Sequence, residues 1–307
     1  MSGFVAPQVL VLGGGGVLGE AWMSAVLAGL EEAAGFDARN CEGFVGTSAG
    51  SIVAAALAAG LDPRERLGKL PEQPPAAAPE VGRPSALLGR GLELGLAVGG
   101  SVGAPLAAVG LRSTEAAGAL LRRAALSGVP RGRRSLGQLG RELDRAGARW
   151  DGRLSISAVE LESGRRVMFG SPAAPSASVG TAVEASCAIP GVFRPVELDG
   201  RSYVDGGVWS PTSMDRARGG RGTRVLCLNP TGSMRPNLAT PFGALGLVSR
   251  SLAAVEALTL KRRGAEIMTV SPDGGSLAAI GRNLMDSRPR SRVIAAGLAQ
   301  GRALGRR

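Results

Sequence analysis

The sequence contains no histidine, and Lys69 and Lys261 are the only lysines among its 307 residues. Histidine is the usual general base of serine hydrolases and the commonest metal ligand in proteins. The three cysteines, Cys41, Cys187 and Cys227, lie far apart and form no CxxC pair, so we expect neither a metal site nor a disulfide framework. Any nucleophilic serine in this chain must therefore use a base other than histidine.

Aromatic side chains make up only 3% of the chain, although the formal net charge is +11. Proteins that bind single-stranded nucleic acid depend on aromatic stacking platforms, so we expect no nucleic-acid partner. The surplus arginines form either an ordinary solvated surface or a match for an anionic membrane. Because the N-terminus lacks a basic region and glycines break its apolar run, we expect no secretory signal and a cytoplasmic location.

Long apolar runs are missing as well, and a membrane span needs about 20 such residues. The stretch nearest to one, Gly91–Leu111, contains Glu93, Pro105 and several glycines, which favours an interfacial segment or a lid. Residues 62–130 are predicted to be a proline-rich linker and a helical cap insert within a single domain spanning 1–307. Residues 285–307 predict a basic amphipathic helix, which together with the cap suggests peripheral contact with anionic membrane.

The N-terminal sixty residues contain two strand–turn–helix units. The first has a strand at 9–12, a glycine loop and a helix over about 19–33, and the second has a strand at 43–45 and a helix over 49–59. Such repeated units predict a parallel sheet with crossover helices. Further strands are predicted in "RLSISAVELESGRRVMFG", "FRPVELDGRSYVDGG", "TRVLCLNP" and "AEIMTVSP", so the fold class is α/β.

The turn of the second unit reads "GTSAG" and places Ser48 between a strand and a small-residue helix. A G-x-S-x-G motif in this setting exposes a nucleophilic serine on a sharp turn, and the glycines allow the close packing that the turn requires. The alternative is a serine that only caps an ordinary helix. The sequence context favours the nucleophile.

The glycine loop "GGGGVLG" precedes the first helix and has two possible uses. Gly14, Gly16 and Gly19 satisfy the G-x-G-x-x-G pattern of a dinucleotide site, but the acids about 20 residues further on, Glu31 and Glu32, fall inside a helix. Alternatively, backbone N–H groups at a helix N-terminus can hold the oxyanion of an acyl transfer. We favour the second use, which needs no cofactor.

Without histidine, the proton acceptor for Ser48 is predicted to be a partly desolvated carboxylate that bonds the serine directly. The candidates are the aspartates in turns at strand ends: Asp151, Asp199, Asp205 and Asp273. Asp151 and Asp199 each have a sufficient explanation as turn residues, and the setting of Asp273 suggests a surface loop. Asp205 follows a strand, where its carboxylate can lie at the end of the sheet.

The segments "GGGGVLG", "GTSAG" and "ASCAIPGVFRPVELDGRSYVDGG" resemble the patatin-like phospholipase family in order and spacing. The resemblance implies a three-layer α/β fold with a mainly parallel central sheet, a helical insert and lipid acyl hydrolase activity. It implies Ser48 as nucleophile, Asp205 as base, Gly14, Gly15 and Gly16 as the oxyanion loop, and Gly19, Gly46, Gly50, Gly206 and Gly207 as motif glycines.

One departure from the family pattern concerns Leu18, which stands where family members often have arginine or lysine. The residues after D-G-G, "VWSPTS", also depart from the usual polar pattern. The leading hypothesis is a serine lipid acyl hydrolase acting on a lipid or acyl ester. The alternatives are a weak or inactive regulatory or lipid-binding protein and a nucleotide-dependent oxidoreductase.

Overall fold

The computed structural model describes residues 4–67, 115–233, 241–281 and 283–306. The apolar stretch Gly91–Leu111 and most of the predicted linker and cap lie outside these residues. The part of the insert that is described includes a helix over Glu115–Ser127, in keeping with the predicted helical character.

Strands and helices alternate through most of the described chain. The strands are β1 (Val9–Leu12), β2 (Gly43–Thr47), β3 (Leu154–Glu160), β4 (Arg166–Phe169), β5 (Val196–Leu198), β6 (Arg201–Asp205), β7 (Arg224–Leu228) and β8 (Glu266–Val270). The α-helices are α1 (Gly16–Ala34), α2 (Ala49–Ala58), α3 (Glu115–Ser127), α4 (Gly137–Arg145), α5 (Val179–Ser186), α6 (Pro241–Arg262), α7 (Gly274–Ile280) and α8 (Arg290–Gly305). The predicted strands are confirmed, and α1 begins three residues before its predicted start.

The strands form one sheet in the order β5-β6-β3-β2-β1-β7-β8, with β4 paired to β3. The pairs β3–β2, β2–β1, β1–β7 and β7–β8 are parallel. Strands β4, β5 and β6 join through antiparallel pairs. The sheet is therefore mainly parallel, as predicted, because α1 and α2 return the chain to the same end before β2 and β3.

The sheet is covered on both faces, which gives the three layers of the fold. Leu10 and Leu12 of β1 pack into the larger core with α1, α2, α5 and α8. The alternate residues Val9 and Val11 pack on the other face, in a smaller core that includes Leu260 of α6. This alternation follows from the period of a strand, whose successive side chains point to opposite faces.

The C-terminal helix α8 packs along α1 rather than standing free. A Cβ at Gly301 would lie 2.2 Å from the Val26 carbonyl oxygen, so the two helix backbones approach closely at this point. The indole of the buried Trp22 donates a hydrogen bond of 2.9 Å to Gln300. The predicted basic helix therefore exists, but one of its faces belongs to the core of the domain.

No helix in the part of the chain that the structure describes has the length and apolar character needed to cross a membrane.

Candidate functional site

The Ser48 turn connects the end of β2 to the start of α2. Ser48 has φ 51° and ψ −123°, a backbone conformation that costs free energy for a residue with a side chain. A Cβ at Gly46 would lie 2.5 Å from the Ser51 Cα, and one at Gly50 would lie 1.9 Å from the Leu12 carbonyl oxygen. The motif glycines therefore allow β2, α2 and β1 to pack tightly enough to hold the strained turn.

Strand register explains why Ser48 meets Asp205, which is 157 positions away in sequence. Thr47, the last residue of β2, is the partner of Ser157 on β3. Asp205, the last residue of the oppositely directed β6, is the partner of Ala158, the next residue of β3. The two strands thus end at adjacent positions along β3.

The Ser48 hydroxyl donates a hydrogen bond of 2.6 Å to Oδ2 of Asp205. The other carboxylate oxygen, Oδ1, accepts a bond of 2.7 Å from the Gly207 N–H, which fixes the orientation of the group. Gly206 permits this turn because a Cβ there would lie 2.3 Å from the Ser157 carbonyl oxygen. The serine and the carboxylate therefore face each other directly, with no histidine between them.

Asp205 is only 6% exposed. This burial raises the pKa of Asp205 to about 6, while the hydrogen bonds from Ser48 and Gly207 act in the lowering direction. Desolvation disfavours the charged carboxylate, and it therefore makes the ionised form a stronger base than an aspartate in water. Such a group is still mainly ionised at neutral pH, so it can accept a proton there.

The glycine loop lies beside the Ser48 turn. A Cβ at Gly14 would come within 3.5 Å of the Ser48 Cβ. The Gly14 N–H donates to the Pro211 carbonyl at 2.8 Å, so one of the three predicted oxyanion donors already has a partner. Gly15 caps α1 and Gly16 begins it, which places their N–H groups among those that a helix N-terminus leaves without intrahelical partners.

The glycines at the start of α1 also allow close packing. A Cβ at Gly15 would lie 2.6 Å from Pro230, and Gly19 faces the same proline at 3.1 Å. Gly16 has φ 58°, in the left-handed region that favours glycine. These contacts bring the loop at the start of α1 close to the residues that follow β7.

Ser186 was not among the predicted site residues. Its hydroxyl accepts a bond of 2.8 Å from the Ser48 N–H and donates one of 2.7 Å to the Ser157 carbonyl. It thereby ties the serine turn to β3 at the point where β2 ends. The only sequence signal was its place in the segment "ASCAIPG", which by itself says nothing about this contact.

The loop after Asp205 is anchored by buried polar contacts. The fully buried carboxylate of Glu256, on α6, accepts hydrogen bonds from the Thr212 hydroxyl and from the Met214 N–H. Between these two anchors and Asp205 lies Pro211, whose carbonyl holds Gly14. The segment "VWSPTS", which departs from the family pattern, therefore connects the glycine loop to the far layer of the fold.

Leu18 is fully buried in the larger core, and its N–H donates to the Leu284 carbonyl at 3.0 Å. This position of the glycine loop is therefore occupied by a buried apolar side chain and not by a cation.

The remaining candidate aspartates have structural explanations. Asp199 and Gly200 both have positive φ, 50° and 74°, which confirms the predicted type I′ hairpin tip. Asp151 accepts from the Arg153 N–H at 2.9 Å within its turn. Asp273 is exposed and lies in the loop before α7, as predicted, and its side chain caps α7 by accepting from the Ser276 N–H.

The acids considered for a dinucleotide ribose also have partners of other kinds. Glu31 and Glu32 lie near the C-terminal end of α1, where both pair with Arg64, and Glu32 also pairs with Arg302. Because α1 is 19 residues long, these two acids lie at the end of the helix opposite to the glycine loop. Within the described residues, no group of three or more cysteines and carboxylates is placed to hold a metal ion.

Comparison with known proteins shows the family to which the chain belongs. The chain is an α/β protein in which a strained turn places a serine between a strand and a helix. The family model described as "Patatin-like phospholipase" matches residues 10–217, which is more than half of the chain. The chain belongs to the patatin-like phospholipase family, whose members are in general hydrolases that act on lipids.

Among solved structures, the chain is similar to VipD from Legionella pneumophila, with 16% sequence identity and a TM-score of 0.44. The match covers 99% of this chain and 67% of that one.

Proposed function

We propose that this protein is a lipid acyl hydrolase that uses Ser48 as nucleophile and Asp205 as general base. The observation that carries the proposal is the 2.6 Å hydrogen bond from the Ser48 hydroxyl to the buried Asp205 carboxylate. Membership of the patatin-like phospholipase family supports a lipid as substrate.

In the first half of the reaction, Ser48 Oγ attacks the acyl carbonyl carbon while its proton passes to Asp205 Oδ2. We assign stabilisation of the oxyanion on the carbonyl oxygen to the N–H groups of Gly15 and Gly16, because they follow Gly14, which lies beside Ser48, at the start of α1. The tetrahedral intermediate collapses and the ester C–O bond breaks. The leaving alcohol then takes the proton from Asp205, and the acyl group remains on Ser48.

In the second half, water attacks the acyl carbonyl carbon and gives its proton to Asp205. Collapse of the second intermediate releases the free acid and returns the proton to Ser48. Asp205 thus acts alternately as base and acid, and its raised pKa suits both roles because the group exchanges protons near neutral pH.

The direct test compares Ser48→Ala and Asp205→Asn with the unaltered protein on a soluble p-nitrophenyl ester. Each variant should lose at least about 10³-fold in kcat/KM, because the nucleophile or the proton acceptor is missing. Asp199→Asn is the matched control, since it makes the same change at an exposed hairpin tip where asparagine tolerates positive φ. Full activity in Ser48→Ala would overturn the assignment.

A fluorophosphonate probe separates the hydrolase from an inactive relative on the same fold. Only an activated serine forms the covalent phosphonate, so the unaltered protein should be labelled and Ser48→Ala should not. If the unaltered protein is not labelled, Ser48 is not activated, and the missing cation at Leu18 is the first explanation to test. A lipid-binding role without hydrolysis would then replace the proposal. A panel of phospholipid, lysolipid and triacylglycerol substrates then identifies the ester that is cleaved.

A further inference from the structure

A cluster of arginines lies at the rim of the sheet, beside the edge strand β5. It comprises Arg131, Arg133 and Arg134 before α4 and Arg194 before β5, all of them exposed. We name these four residues the rim arginines. Arg131, Arg133 and Arg194 border a groove of about 450 Å³, and Glu197 is the only acid among the described residues that line it.

The backbone holds the two arginine segments together. A Cβ at Gly132 would lie 2.4 Å from the carbonyl carbon of Val192, so the first segment lies directly against the second. The Arg194 N–H donates to the Arg134 carbonyl at 2.8 Å, next to the bridge between Arg134 and Phe193. The positive charges are therefore concentrated by the fold, although sixty residues separate the segments in sequence.

Most of this charge is not neutralised locally. Arg131 pairs with Glu197 at 3.4 Å. Arg133, Arg134 and Arg194 make no ion pair with any residue that the structure describes. Three like charges at one rim, on a chain of formal net charge +11, attract an extended anionic surface and not a single counter-charge within the protein.

The register of the sheet places this cluster at the same end as the proposed catalytic pair. Val196 of β5 is the partner of Tyr203 of β6. Because the two strands are antiparallel, Arg194 lies on the side of Val196 towards the Asp205 end of β6. Arg131 and Val204, the residue before Asp205, line the same small cavity. A surface that contacts the rim arginines is thereby brought to the end of the sheet where the serine turn is located.

We propose that the rim arginines dock the protein on anionic phospholipid membranes, with the end of the sheet that carries Ser48 facing the bilayer. The inference rests on the proposed function, because a lipid hydrolase has to reach an ester at the level of the headgroups. Basic side chains near such a surface each contribute to binding, and salt screens this attraction.

The test is sedimentation with vesicles of phosphatidylcholine alone, or of phosphatidylcholine and phosphatidylglycerol in equal parts. All samples carry Ser48→Ala, so that binding is measured without hydrolysis. Binding should require phosphatidylglycerol and weaken at high salt. Replacing Arg133, Arg134 and Arg194 together by glutamine should weaken it by roughly 100-fold.

The matched control replaces Arg218, Arg221 and Arg262 by glutamine. These arginines are exposed near the starts of β7 and β8, at the opposite end of the sheet, so the same loss of charge should leave most binding intact. Equal weakening in both triple variants would show that overall charge is responsible and would overturn the proposal. Equal binding to both kinds of vesicle would also overturn it.

Two further arms distinguish other anions from a membrane. If inorganic phosphate displaces the protein from vesicles more strongly than chloride of equal ionic strength, the rim arginines form a phosphate site. The proposal that they dock the protein on a membrane would then be wrong. If single-stranded DNA, and not vesicles, is bound in a way that the rim variant abolishes, the partner is a nucleic acid and the proposal fails.

Soluble-ester turnover keeps this inference separate from the proposed function. The rim triple variant with Ser48 intact should hydrolyse a p-nitrophenyl ester at the unaltered rate, because its substitutions are surface charges outside the Ser48–Asp205 pair. If the unaltered protein does not hydrolyse the ester, the proposed hydrolase function is refuted. The vesicle experiment still tests membrane docking, because it measures binding without hydrolysis.

Discussion

At the residue scale, the burial of Asp205 leads to a specific pH dependence of activity. The pKa of this group is raised to about 6, and in the proposed mechanism only the ionised form accepts the proton of Ser48. We therefore expect kcat/KM for a soluble ester to fall tenfold per pH unit below about pH 6. The measurement is a pH–rate profile, with Asp199→Asn as the control that should keep the same acid limb. Because the chain has no histidine, a fall in rate near pH 6 cannot come from an imidazole. A constant rate down to about pH 4 would contradict the assignment of Asp205.

The same burial predicts that Asp205→Asn stabilises the protein at neutral pH. The folded-state pKa of about 6 lies above the ordinary value of 3.8, so the native state binds the proton more tightly than the unfolded state. The contribution of Asp205 to the free energy of unfolding therefore falls as the pH rises between these values and is then constant. The variant lacks this loss and should be more stable at pH 8 by up to about 3 kcal/mol.

Urea denaturation of both proteins tests this second prediction. The difference in the free energy of unfolding should shrink towards zero at about pH 4, where Asp205 is protonated in the native state. A variant that is less stable than the unaltered protein at pH 8 would show that the hydrogen bonds to the carboxylate outweigh its desolvation.

At the scale of elements, the strand–turn–helix unit around Ser48 depends on the contact between α2 and β1. A Cβ at Gly50 would lie 1.9 Å from the Leu12 carbonyl oxygen, and neither backbone can give way without moving the sheet. We expect Gly50→Ala to lower the free energy of unfolding by about 3 kcal/mol or more and to displace Ser48. Chemical denaturation measures the stability, and fluorophosphonate labelling reports on the turn.

Gly274→Ala is the control for this substitution. Gly274 begins α7, and a Cβ there would meet nothing within 4 Å, so alanine should be neutral or slightly stabilising. Equal stability of the Gly50 and Gly274 variants would mean that α2 can move away from β1 without cost.

At the scale of the whole molecule, α8 is an integral part of the larger core. Val293 and Ile294 of α8 are 0% and 1% exposed, and Gly297 approaches Ala25 of α1. Deleting residues 289–307 should therefore expose the apolar face of α1 and abolish cooperative unfolding. The control replaces the exposed Arg292 and Arg306 by serine, which removes charge and keeps the core.

Thermal unfolding followed by circular dichroism tests the deletion. A cooperative transition like that of the unaltered protein would show that α8 is a peripheral helix, as the basic pattern of residues 285–307 alone suggests. Arg290 argues against that outcome, because its guanidinium donates to the carbonyls of Leu67 and Arg66.

Much of the fold could be predicted from the sequence because the signals are local. The apolar run at Val9–Leu12, the glycine loop and the G-x-S-x-G turn each specify backbone conformation within a few residues. The absence of histidine excluded an imidazole base, and the resemblance singled out Asp205 among four candidate aspartates. These inferences needed no knowledge of which strands pair.

Only the tertiary structure decided how the distant parts meet. The contacts of Ser186 with Ser48, of Pro211 with Gly14 and of Gln300 with Trp22 each join residues more than 100 positions apart. Such contacts depend on the strand register and on the burial of apolar surface by the whole chain, and no local pattern encodes either. The sequence by itself therefore determined the elements, the nucleophile candidate and the need for a carboxylate. The folded chain decided that a buried Asp205 stands opposite Ser48, because β2 and β6 end at adjacent residues of β3.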